Sequence, residues 1–104
     1  MSPAQLAYDR VMIEVDKAMA EYRNGADDMG MYHMVCLCSW ERAAKIIADV
    51  GIKMGSSVDD IVMNLRSWHR DFGGSHFNFA TWNRRLSYAE DIVRTAFKDC
   101  RGDV

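Results

Sequence analysis

The stretch SWHRDFGGSHFNFATWNRR, Ser67 to Arg85, decides how this chain folds. Gly73-Gly74 lies in its middle, and paired glycines end a helix more readily than they continue one. Before the break, Ile61, Leu65, Trp68 and Phe72 fall at i, i+4, i+7 and i+11, one helical stripe. After it, Phe79, Trp82, Leu86, Ala89, Val93 and Ala96 form a second stripe. The segment reads as a corner between two amphipathic helices joined by their aromatic residues.

Working outward, Ser57 caps the helix before the corner, with Asp59 and Asp60 in its favourable first turn. The helix after it starts between Ser75 and Asn78 and runs to about Asp99, with Gly102 beyond. Upstream, Asp27 or Asp28 caps a helix that extends to Val50, where Gly51 is the expected stop and 51–55 the connection. The first half of that helix, MGMYHMVCLCSW, is apolar almost all round, as expected of a helix buried on most sides or held against a second subunit. Its second half is amphipathic, with Ala44, Ile47 and Val50 opposite Glu41, Arg42, Lys45 and Asp49. At the start of the chain, Ser2-Pro3-Ala4-Gln5 reads as a capping box. Tyr8, Val11, Val15, Ala18 and Tyr22 follow as an apolar face, and Arg10–Glu14 and Lys17–Glu21 are i,i+4 pairs on the charged face. Asn24-Gly25 ends this helix.

The expectation is an all-α, compact four-helix domain spanning residues 1–104, with helices over about 3–23, 28–50, 58–72 and 78–99. No alternation of the kind a strand needs occurs. Short connections favour an antiparallel up-down-up-down bundle, although stripe periodicity alone leaves an orthogonal packing open.

Apolar residues make up 49% of the chain and charged residues 27%, a globular and not a disordered composition. The net charge of −2 is too small for a general polyanion binder. It is unevenly spread, since residues 66–85 hold Arg66, Arg70, Arg84 and Arg85 against Asp71, a local +3. Cys36, Cys38 and Cys100 are odd in number and lack framework spacing, which fits a reducing, cytoplasmic setting. The opening MSPAQLAYDR carries charges and no signal-peptide core, and the longest charge-free run, Met29–Trp40, is too short to span a bilayer.

Sites for chemistry are sparse. His33 and Cys36 share a helix face, but His69, His76 and Cys100 complete no compact metal module, so neither metal nor cofactor is expected. As a nucleophile and base the same pair lacks an electropositive, open setting, and no nucleotide-loop or hydrolase motif occurs. The chain therefore reads as non-catalytic. Arg101-Gly102-Asp103 is a helix end, not an adhesion motif.

Two groups of residues have no assigned core duty. Met29, Met31, Tyr32 and Met34 start the all-apolar helix and are the expected self-association surface of a homodimer. His69, Arg70, His76, Phe77, Arg84 and Arg85 cluster at the corner as a partner- or anion-binding surface. With so few cationic groups, a nucleic-acid duplex is a poor partner. The function expected is a small helical adaptor or inhibitor acting by protein–protein binding. Phages and other mobile elements encode such stand-alone inhibitors against host nucleic-acid machinery. The alternative is a module holding a nucleotide or other phosphorylated small molecule at the corner.

Overall fold

Four helices account for nearly all of the computed structural model, which describes residues 2–24, 30–73 and 79–102. They are α1 (Pro3–Asn24), α2 (Gly30–Ile46), α3 (Val58–Gly73) and α4 (Phe79–Gly102), with a π-helical segment, Ile47–Lys53, continuing α2. No strand occurs among the described residues. The fold is all-α.

Both serine caps form where the sequence places them. The Ser2 hydroxyl accepts from the Gln5 N–H (3.1 Å), and the Ser57 hydroxyl accepts from the Asp60 N–H (3.3 Å). The capping box is only half made, because the Gln5 side chain donates to Asp9 Oδ1 (2.9 Å) instead of turning back. The caps proposed at Asp27 or Asp28 lie outside the described residues.

One apolar cluster joins all four helices. Val11, Val15 and Ala18 of α1 meet Trp40, Ala43 and Ile47 from α2 and its continuation. Ile61 and Leu65 of α3, and Leu86, Ala89, Val93 and Ala96 of α4, complete it. The α3 and α4 stripes are thus buried as their spacing predicts, while the side chains of Phe72, Phe79 and Trp82 lie outside the described set. Tyr22, expected on the buried face of α1, is exposed. It sits in the last turn of α1, beyond the buried run that ends at Ala18.

The largest departure from expectation is at Gly51. Instead of stopping the second helix, Gly51 is buried inside the π-helical segment. A Cβ there would lie 2.9 Å from Ala4 Cβ and 2.9 Å from Ile61 Cδ1. The glycine is needed for close approach, so that the first turn of α1 and the first turns of α3 rest against bare backbone. Termination falls to Gly55, whose φ of 65° is the left-handed conformation glycine tolerates best. The Ser56 N–H then donates to the Val50 carbonyl (3.1 Å). That closure is one residue wider than the Schellman bond of an ordinary helix, as a π register requires.

Two expected ion pairs are replaced. Arg10 reaches across to Asp99 of α4 (2.8 Å) rather than along α1 to Glu14, because α1 packs on α4. Lys17 takes Glu14 (3.5 Å) rather than Glu21.

The two glycines are expected to fail differently. Gly51→Ala is expected to lose about 1–3 kcal/mol through overpacking, only partly offset by the roughly 1 kcal/mol of helix propensity that alanine adds, and Gly51→Val to lose more. Gly55→Ala meets nothing within 4 Å and is expected to lose about 1–2 kcal/mol from left-handed strain alone. Urea unfolding of the three variants checks this, and an unchanged midpoint for Gly51→Ala would refute the close-approach account.

Candidate interaction surface

One contact brings a residue of the corner group, Arg85, to Cys36, two positions after Met34 of the self-association group. Cys36 is buried on the inner face of α2, and Ser39 beside it is satisfied by donating to the Cys36 carbonyl (2.9 Å). From α4, the half-buried Arg85 directs its Nε–H at Cys36 Sγ (3.5 Å). This polar contact fixes the start of α4 against the first half of α2. Met34, Cys38, Arg84 and Tyr88 all lie within one turn of it, and all four are exposed.

Of the corner residues, Arg84 is exposed and makes no ion pair among the described residues, whereas Arg85 is turned inward. His69 and Arg70 belong to the last turns of α3, where the backbone alone is described. His76 and Phe77 lie outside the described residues. Of the self-association group, Met34 is exposed, Met31 and Tyr32 are placed on α2 by their backbone, and Met29 lies outside the described residues.

Part of the local positive charge is committed elsewhere. Arg66 grips Glu90 of α4 with both ends of its fork, Nη2 to Oε1 at 2.6 Å and Nε to Oε2 at 3.1 Å. Arg94 approaches the same carboxylate (3.5 Å) and Asp59 (3.9 Å). The bond from Arg66 is the main reason that the Glu90 carboxyl is held below the ordinary range, against the opposing effect of burial. A tally of charge by segment counts Arg66 as free because its partner is 24 residues away.

Two further contacts were invisible to spacing. Arg42 of α2 lies over the Trp68 ring at 4.9 Å, a cation–π contact. Trp40 meets Tyr88 edge-on, with centroids 5.6 Å apart. The signal that could have found them is a tryptophan with an arginine or a tyrosine on a neighbouring helix, but choosing the pair requires the helix packing.

The grooves between helices are open and shallow. One of them, about 420 Å³, runs between α1 and the α2–π rod, with Tyr8, Met12 and Val15 on one side. Among the described residues, no three of His, Cys, Asp and Glu are grouped to hold a metal ion. No helix there is long and apolar enough to cross a membrane. Cys36, 2% exposed, is closed to any substrate. The Cys38 thiol is pushed up by partial burial and, second, by the Glu41 carboxylate.

Two measurements follow from these environments. The folded pKa of Glu90 lies below its unfolded value, so its contribution is complete above the ordinary carboxylate range. It is lost as pH falls through the lower folded value. Stability measured against pH is expected to decline on that acid limb, and Glu90→Gln is expected to flatten the limb while lowering stability at neutral pH. For the thiols, titration of the folded chain with a disulfide reagent is expected to leave Cys36 unmodified until denaturant is added. Cys38 is expected to react more slowly than a free thiol, and faster in Glu41→Gln. Rapid labelling of Cys36 in the folded state would contradict its enclosure. Compared with known protein families, with curated proteins and with solved structures, the chain matches none of them.

Proposed function

We propose that the chain is a small, non-catalytic interaction protein, an adaptor or inhibitor that works by binding another protein. The observation that carries this is the Arg85–Cys36 contact, which unites the methionine-bearing start of α2 with the start of α4. Around it, Met34, Arg84 and Tyr88 supply an adaptable thioether, a cation and an aromatic ring. Tyr and Arg dominate binding energy in protein interfaces, and Met accommodates irregular partners. The open grooves suit a protein surface better than an enclosed small molecule.

The proposal takes the helices as an antiparallel up-down-up-down bundle. Two facts support that arrangement: Arg10 near the start of α1 pairs with Asp99 near the end of α4, and Ser2–Ala4 share a groove with Gly51, Gly55 and Phe97. It also includes self-association as a homodimer, and the small stand-alone inhibitors of phages and mobile elements are the functional class it fits. A nucleotide or phosphate site at the corner is weaker, because Arg66 is held by Glu90 and Arg85 points at Cys36.

Affinity capture from the native host tests the proposal when wild type is compared with Met34→Ala, Arg84→Ala and Tyr88→Ala. A partner retained by wild type and weakened about tenfold or more by at least one variant is the expected result. Equal recovery with all four proteins would remove the surface from consideration. Thermal stabilisation by a nucleotide, lost in Arg84→Ala, would move the site to the phosphate-binding alternative.

A further inference from the structure

We infer that the groove between α1 and the α2–π rod seats a second copy of this chain, with the two rods antiparallel across a two-fold axis. The inference rests on the self-association included above and names its surface, which is the second half of the rod and not the methionine-bearing first half.

Glu41, Lys45, Asp49 and Lys53 line this one groove, beside an apolar floor whose still accessible members are Tyr8, Met12 and Ala48. On a regular α-helix, residues four apart creep around the axis by about 40° per step, so a column of four would wind off the face. The wider π turn over Ile47–Lys53 holds more residues, so four of them fall short of a full turn and the creep reverses. The irregular segment thereby keeps all four charges along a single edge.

The signs along that edge are −, +, −, +. Within the chain they are unevenly satisfied. Asp49 serves both Lys45 (3.4 Å) and Lys53 (3.7 Å), while Glu41 makes no ion pair among the described residues. A two-fold axis pairs residue i of one copy with j of the other and j with i. Centred near Ile47, it sets Glu41 against Lys53 and Lys45 against Asp49, each pair twice. Every contact then joins opposite charges, and Glu41 meets Lys53, the more distant of the two partners of Asp49. A parallel pairing would set like against like. Exposed ion pairs contribute little each, so their role is to select orientation and partner, while the apolar floor supplies buried area.

The test is a charge exchange read by sedimentation over a wide concentration range. Wild type is expected to dimerise, more weakly at high salt. Lys45→Glu and Asp49→Lys are each expected to raise the dimer dissociation constant about tenfold or more. The double variant Lys45→Glu/Asp49→Lys restores opposite signs and is expected to return to within a few-fold of wild type. The Glu41→Lys, Lys53→Glu set repeats the logic at the outer pair, and circular dichroism verifies that each variant keeps its helices. A dimer indifferent to these exchanges, or a double variant no better than the singles, would overturn the inference while leaving self-association standing. A monomer at every concentration and salt would overturn both and leave the groove to a different protein.

Discussion

The first turns of α1 and α3 are set by a contact with the second rod that a single methyl group would spoil. At Gly51 the backbone of the second rod is bare, and Ala4 and Ile61 approach it from two different helices. Ala4 belongs to the first turn of α1 and Ile61 to the start of α3, so the rod between them ties those first turns together. The π register belongs to the same arrangement. It carries the glycine inward, keeps Ile47 fully buried, and delays the helix stop to Gly55.

Electrostatics at the other end follow a different rule. The arginines that look available in the sequence are mostly used to join helices. Arg66 ties α3 to α4, Arg42 ties α2 to α3 through a tryptophan ring, and Arg85 ties α4 to α2 through a thiol. Each is a planar, multi-donor group placed where geometry matters more than net charge. What remains outward near the Arg85–Cys36 contact is a small mixed surface, with Arg84 as its cation and Met34 and Tyr88 as its apolar parts.

The fold was legible wherever local chemistry determines it. The caps at Ser2 and Ser57 and the stripes through Ile61–Leu65 and Leu86–Ala96 depend on spacing within one helix, and they stand as read. Gly51 was misread because a glycine after an apolar run signals a stop in isolation. Its actual role is set by Ala4 and Ile61, which lie 47 and 10 positions away in the sequence. The ion pairs failed for a related reason, since Arg10 had a local partner in Glu14 and a better-placed distant one in Asp99. At the candidate surface the residue types were visible and their allegiance was not. Nothing in the segment 66–85 discloses that Glu90 claims Arg66 or that Cys36 receives Arg85.

The interior is built to an unusual degree from alanine: Ala7, Ala18, Ala43, Ala44, Ala89 and Ala96 all belong to its central cluster. An alanine has no rotamers to freeze, so ordering these positions costs little beyond the backbone. It also has almost no volume to remove, so the damage that comes from truncating a core side chain is confined to the larger members, such as Trp40, Ile47, Ile61 and Leu65. The vulnerable direction is growth, since helices set close by methyl groups have nowhere to put an extra carbon. Sequence drift in this protein is therefore constrained from above, by a ceiling on side-chain size, and its descendants should diverge on their surfaces long before they repack.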